Sequence, residues 1–166
     1  MTSSADIQAV HDEVSALGFR RFGHSEALRL GQILLELAQA EGHRVAIGVD
    51  LGDQIIFRAA LPDTNADYQF WINRKFQTVR RFSAASYALE LKAALEPDFA
   101  TERALDPSAY VLCGGAVPLF VSGCMVGQIG CAGLASVDDH RLVINAMRAL
   151  HKEIDASFYN CILHSL

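Results

Sequence analysis

The strands predicted from this sequence follow one another directly in two groups, and this grouping most constrains the fold. Short turns of the kind that join hairpin strands, Gly52-Asp53 and Ser122-Gly123, separate runs of apolar, strand-forming residues. Hairpin connections exclude a doubly wound parallel sheet, in which helices alternate with strands, and they predict an α+β domain. The five predicted strands span residues 45–50, 54–60, 110–113, 116–121 and 125–132.

Outside these strands, apolar residues recur every three or four positions, which predicts amphipathic helices. Ser3 with Asp6 forms a capping pair that opens the first helix, and Ser136 with Asp139 opens the last. No linker or internal repeat interrupts the chain, so residues 1–166 are predicted to form a single domain, with 1–22 as an N-terminal helix and connector. The predicted helices span residues 3–18, 25–42, 68–82, 83 or 84 to 96, and 136–158, and residues 99–107 are predicted to form a loop.

Composition narrows the classes of function. The chain has 166 residues, a formal charge of −5, 51% hydrophobic residues and 20% charged residues. High hydrophobicity with little charge excludes a disordered chain, and the acidic balance argues against nucleic acid as a partner, because a general binder needs a basic surface. The apolar share also predicts a homo-oligomer, since monomers rarely expose large apolar patches.

The sequence shows neither a targeting signal nor an apolar run long enough to span a bilayer, so we expect a cytoplasmic protein without a membrane partner. The cysteines contain no Cys-x-x-Cys pair and lack histidines at the spacing of zinc ligands. They are predicted to be buried free thiols in a reducing compartment. These cysteines are Cys113, Cys124, Cys131 and Cys161.

A basic cluster in the segment WINRKFQTVRR is the first candidate for a binding site. Arg74, Lys75, Arg80 and Arg81 supply four of the 14 basic residues of an otherwise acidic chain. Such a cluster attracts an anion, and Trp71 could add a flat wall for a planar ligand. The alternative is an ordinary solvated helix face with Trp71 in the core or an interface.

Glycines mark the second candidate. Gly114-Gly115 lies in the glycine-rich stretch CGGAVPLFVSGCMVGQIGCAG, which contains neither a dinucleotide-binding nor a Walker fingerprint. Glycines in strands commonly mark bulges, turns or close packing by a helix. The functional alternative is a turn whose exposed backbone amides approach a ligand closely.

The third candidate is Asp138-Asp139-His140 at the start of the last helix. Carboxylates are stabilised at a helix N-terminus, which accounts for both aspartates without catalysis. His140 could titrate near neutral pH, bind a metal or haem iron, or act as an acid or base. The other histidines form no metal-binding pattern, so no metal site is predicted, and neither a Cys-x-x-Cys-His haem signature nor a Gly-x-Ser-x-Gly elbow occurs.

Three motifs together resemble a known family. WINRK on a helix, GGAVPLFVSG leading into VGQIGCAGL, and DDH opening the last helix are similar to the haem-degrading-domain family, the GlcG/HbpS-like group, in its branch with a Trp-Ile-x-Arg-Lys motif. The resemblance covers residues 20–160. It implies a profilin-like α+β fold with one five-stranded antiparallel sheet flanked by helices, assembly into homo-oligomers, and haem binding or degradation.

The motifs and the resemblance leave three classes of function open, of which the third is an enzyme that uses His140 as acid or base. The first is a cytoplasmic binding protein for haem or another small anionic, planar molecule. The second is a protein-protein interaction or assembly module without a small-molecule ligand. The residues themselves establish no cofactor; haem is the candidate cofactor that the resemblance implies, and an enzymatic role in haem degradation rests on the resemblance alone. The predicted ligand-binding residues are Trp71, Asn73, Arg74, Lys75, Gly114, Gly115, Asp139 and His140.

Overall fold

The computed structural model describes residues 2–163, and the predicted α+β class is confirmed. Met1 and residues 164–166, including His164, lie outside this range, and so does the side chain of Cys161. The strands are β1 (Ala46–Leu51), β2 (Gln54–Ala60), β3 (Ala116–Val121) and β4 (Cys124–Ala132). The helices are α1 (Ser4–Ala16), α2 (His24–Ala40), α3 (Ala66–Phe82), α4 (Ser86–Leu95), α5 (Phe99–Glu102) and α6 (Ser136–Leu163).

The strands form one antiparallel sheet in the order β2-β1-β4-β3. Two hairpins, β1-β2 and β3-β4, therefore lie side by side with β1 paired to β4. Each hairpin closes through the predicted two-residue turn. Gly52, Ser122 and Gly123 have φ angles of 55°, 49° and 81°, the left-handed values that tight hairpin turns use.

The prediction of five strands is wrong, because residues 110–113 form a loop. Val111 donates its backbone N–H to the Thr78 hydroxyl at 3.1 Å, and its carbonyl accepts from the same hydroxyl at 2.9 Å. Gly114 donates its N–H to the Glu90 carboxylate at 2.7 Å. Side chains of α3 and α4 thus satisfy backbone groups that a strand would pair with a neighbouring strand.

Each face of the sheet packs against helices. Alternate residues of a strand point to opposite faces, so Ile47 of β1 packs with α2 and α6, whereas Ala46 packs against α3. The α2/α6 side holds the larger core, and the α3 side holds a smaller one built around Ile72, Phe76 and Val79. Two helical layers therefore enclose the sheet.

The helix predictions are largely confirmed, with one addition. The first four residues of the predicted loop 99–107 form α5, which buries Phe99 at 1% exposure. Within residues 2–163, no helix is long and apolar enough to cross a membrane.

Candidate functional site

An open cleft lies between the first half of α3 and the start of α6, where β4 ends. Its volume is about 330 Å³, which lies at the small end of the range of ligand pockets, roughly 300–1,000 Å³. Aromatic side chains come from α3 and polar groups from both helices. The lining residues are Asp67, Tyr68, Trp71, Lys75, Cys113, Ala132, Gly133, Leu134, Ser136 and Asp139.

A buried ion pair forms the floor of the cleft. Lys75 Nζ lies 2.8 Å from Asp139 Oδ2 and donates to the Cys131 carbonyl at 3.0 Å. Only 3% of Lys75 and 2% of Asp139 is exposed. Burial raises the pKa of Asp139 above its usual range, and the Lys75 ammonium partly opposes this increase.

Asp139 also organises the turn that leads into α6. Its Oδ1 accepts from the backbone N–H of Leu134 at 3.1 Å and its Oδ2 from that of Gly133 at 3.4 Å. The Cys131 thiol lies 3.3 Å from Oδ1 and is fully buried, and this burial raises the pKa of the thiol well above its ordinary value. Cys131 is therefore a packed neutral thiol, unsuited to act as a nucleophile.

Of the two predicted glycines, Gly115 lies directly behind the ion pair and Gly114 lies against the start of α6. Gly115 has a φ of 119°, and a Cβ there would lie 2.7 Å from both Lys75 Nζ and Asp139 Cβ. Gly114 is buried against the start of α6, where a Cβ would come too close to the Ser136 carbonyl. Glycine at these positions allows the chain to pass directly behind the cleft floor.

The predicted basic cluster separates in the structure. Arg74 donates to the Pro107 carbonyl at 2.9 Å and stacks 4.3 Å from the centroid of the Trp71 ring. Arg80 pairs with Asp50 at 3.2 Å, and Arg81 donates to the Arg103 carbonyl. Lys75 is the one member of the cluster that lines the cleft.

Two further predicted residues lie away from the cleft. Asn73 is exposed and accepts a hydrogen bond from Gln69 at 3.2 Å. His140 is 5% exposed and faces α1, with Nε2 3.3 Å from Glu13 Oε2 and its ring 5.2 Å from that of Tyr87. Burial lowers the pKa of His140. Consecutive helical side chains diverge by about 100°, so His140 cannot share the direction of Asp139.

Comparison with known proteins identifies the family. A family model described as "Haem degrading protein HbpS-like" matches residues 22–148. The chain belongs to the HbpS-like family. The predicted resemblance to haem-degrading-domain proteins is thereby confirmed.

Relatives of this HbpS-like chain align over most of its length. A UPF0303 protein of Streptomyces coelicolor is 38% identical over 143 residues, which cover 85% of this chain and 90% of that protein. A UPF0303 protein of Rhizobium etli is 35% identical over 157 residues, with coverage of 93% and 96%.

Solved structures share the HbpS-like fold. The crystal structure of the Ybr137w protein has a TM-score of 0.80 and 22% identity, covering 87% of each chain. The crystal structure of HbpS has a TM-score of 0.63 and 20% identity, covering 78% of this chain and 89% of the other. A structure of a PduOC:heme complex has a TM-score of 0.65 and 19% identity, with coverage of 77% and 94%.

Four polar residues line the HbpS-like cleft but are not among the predicted ligand-binding residues, namely Asp67, Tyr68, Cys113 and Ser136. Ser136 is predicted at a helix start and Cys113 in a strand, whereas Asp67 immediately precedes the predicted helix 68–82. Trp71 Nε1 donates to Asp67 at 3.2 Å, and the Cys113 thiol lies 3.3 Å from the Ser136 hydroxyl. Tyr68 is predicted only as one of the apolar residues on the buried face of the helix 68–82. Among residues 2–157, whose side chains the structure describes, no group of three or more His, Cys, Asp or Glu residues is placed to hold a metal ion.

Proposed function

We propose that this HbpS-like protein binds a small planar molecule in the cleft between α3 and α6. The observation that carries the proposal is the combination of an aromatic wall, Trp71 and Tyr68, with a buried polar floor, Lys75 and Asp139, in one open cavity. Ligand pockets typically combine apolar and aromatic walls with a few fixed polar groups. Gly115 supports the floor from behind.

Haem is the first ligand to test, because the family description names haem and the PduOC structure contains heme. The cleft of a single chain does not fit a haem that is fully enclosed by protein. The cleft is small, and no histidine of the described residues lines it, because His140 faces α1. Arg74 is hydrogen-bonded elsewhere, and Lys75 is already paired with Asp139. The cleft therefore favours a planar molecule smaller than haem.

The single tryptophan of the chain, Trp71, lines the cleft and reports binding directly. We expect saturable changes in its fluorescence when hemin, benzamide, benzoate and benzylamine are titrated separately, with N-acetyltryptophanamide as the control for absorption of light by the probe. Calorimetry with the best probe should show at least about tenfold weaker binding for Trp71→Ala, because ring stacking is lost. A Gln77→Ala variant, altered at an exposed position of the same helix, should bind normally.

The proposal fails if none of the four probes changes the fluorescence saturably. It also fails if Trp71→Ala binds the best probe as tightly as the unaltered protein. Either result would favour the second candidate function, an assembly module without a small-molecule ligand.

We also propose that the protein is a cytoplasmic homo-oligomer. In the described part of the chain, β2 has a strand neighbour on one side only, and Ile55 on this edge is 62% exposed. An open apolar edge strand is a template for pairing with another chain. Cys113, Cys124 and Cys131 are free thiols, which suits a reducing compartment. The prediction that they are buried holds for Cys131 but is wrong for Cys124, which is exposed, and Cys113 is only half-buried.

A further inference from the structure

The hydrogen bonds at the cleft floor leave one donor of Lys75 without a partner. A protonated lysine has three N–H donors, and among the described residues Lys75 uses one for Asp139 and one for the Cys131 carbonyl. Lys75 is almost completely buried, yet it lines the cleft. Because Lys75 lines the cleft, a molecule in the cleft is the candidate acceptor for the remaining N–H.

The carboxylate of Asp139, in contrast, has no acceptor position left for a hydrogen bond from a ligand. Its two oxygens accept from Lys75, from the backbone N–H groups of Gly133 and Leu134, and from the Cys131 thiol. A carboxylate offers about four acceptor positions. Three N–H donors occupy three of them, and the Cys131 thiol lies at the fourth, where it also reaches the Asp139 backbone carbonyl at 3.3 Å. The floor is consequently a neutral ion pair that presents a hydrogen-bond donor.

We propose that this donor receives the neutral carbonyl oxygen of a planar ring compound, such as an aromatic amide, which lies against Trp71 and Tyr68. A carbonyl accepts the hydrogen bond without adding charge to the buried pair. A carboxylate would bring a second negative charge next to Asp139, and an ammonium group would meet the positive charge of Lys75, each with the cost of an uncompensated buried charge. This inference rests on the proposed function of the cleft.

The test compares benzamide, benzoate and benzylamine, which share one aromatic ring and carry a neutral, a negative and a positive group. Trp71 fluorescence gives the affinities, and the proton and nitrogen resonances of the Lys75 ammonium show whether the probe reaches Nζ. We expect benzamide to bind at least about tenfold more tightly than the other two probes, the size of one charge-assisted hydrogen bond. We also expect benzamide to shift the Lys75 resonance saturably.

A double variant, Lys75→Met with Asp139→Asn, removes both charges together, so that no unpaired charge is left in the interior. We expect it to lose the preference for benzamide, whereas the matched surface variant Gln77→Ala retains it. If the double variant does not fold, the Lys75 resonance of the unaltered protein still decides the question.

Equal or tighter binding of benzoate or benzylamine would overturn the inference, and so would benzamide binding without a shift of the Lys75 resonance. Saturable binding of hemin or benzoate alone would overturn the inference and leave the proposed function standing. Failure of all probes would overturn both.

Discussion

Asp139 and His140 are adjacent residues in the first turn of α6, but their side chains enter different surroundings. Asp139 points to the end of β4 and pairs with Lys75, whereas His140 points to α1 and Glu13. The first pairing forms the floor of a cleft, and the second attaches the N-terminal helix to the core. Neighbouring polar residues on a helix therefore need not belong to one site.

Removal of the Asp139 charge should strongly destabilise the fold. In Asp139→Asn the buried ammonium of Lys75 loses its counter-ion, and breaking a buried pair from one side typically costs about 3–5 kcal/mol. We expect this loss in the free energy of unfolding measured by urea denaturation.

Asp138→Asn is the matched control. Asp138 is partly exposed and pairs only with exposed Arg141, so the change should stay within about 1 kcal/mol. Equal losses for both variants would contradict the assigned role.

His140 should make the stability of the protein depend on pH. Burial lowers the pKa of His140 in the folded state below the ordinary value of 6.5. As the pH falls through 6.5, the unfolded chain gains a proton at this site before the folded chain does, so folding is progressively disfavoured. We expect the free energy of unfolding to fall below this pH, and His140→Gln to show a smaller fall. If the free energy of unfolding of the unaltered protein and of His140→Gln falls equally with pH, His140 is not the cause of the pH dependence.

At the residue scale, the sequence predicted only part of the cleft. Trp71, Lys75 and Asp139 were predicted together because their motifs concentrate aromatic and charged groups, and all three line the cleft. The sequence groups Arg74 with Lys75 because it does not show that the Pro107 carbonyl, 33 positions later, accepts a hydrogen bond from the Arg74 guanidinium. Cys113 could not be placed in the cleft without knowing how its loop packs.

At the scale of elements, the loop at residues 110–113 shows why a strand-like composition is insufficient. Its apolar residues satisfy the pattern of a buried strand, but a strand also needs a neighbour for its backbone groups. Thr78, located 33 positions earlier on α3, supplies those hydrogen bonds instead. The hairpins were predictable, by contrast, because their pairing is local and their turn residues are adjacent in sequence.

Thr78→Val tests this explanation. Valine keeps the shape of threonine but leaves the N–H and carbonyl of Val111 without their partner, which we expect to cost about 1–3 kcal/mol. Thr101→Val, at an exposed position of α5, should change the free energy of unfolding by no more than about 0.5 kcal/mol. Denaturation of both variants provides the comparison, and an unaffected Thr78→Val would show that the loop is held by other contacts.

At the scale of the whole molecule, the two edges of the sheet differ. The connector before α2 covers one end of β3, where Phe19 donates to the Phe120 carbonyl at 2.8 Å and accepts from the N–H of Ser122 at 3.2 Å. The described residues provide no such cover for β2. Contact between copies is therefore expected at β2 rather than at β3.

Ile55→Lys should weaken assembly, because it places a charge on the open edge and removes an exposed apolar contact. We expect light scattering at micromolar concentration to give a multiple of the single-chain mass for the unaltered protein and a smaller mass for the variant. Gln32→Lys adds the same charge at an exposed position of α2 and should leave the mass unchanged. A single-chain mass for the unaltered protein would contradict the proposed oligomer.

The Lys75–Asp139 pair also has a mechanical consequence. Lys75 belongs to the helix on one face of the sheet, and Asp139 belongs to a helix that packs on the other face. The pair meets beyond the end of β4 and joins the two helical layers around the rim of the sheet. A molecule bound to the Lys75 ammonium would stabilise this contact between the two layers. Its binding should therefore slow amide hydrogen exchange in α3 and in α6 together.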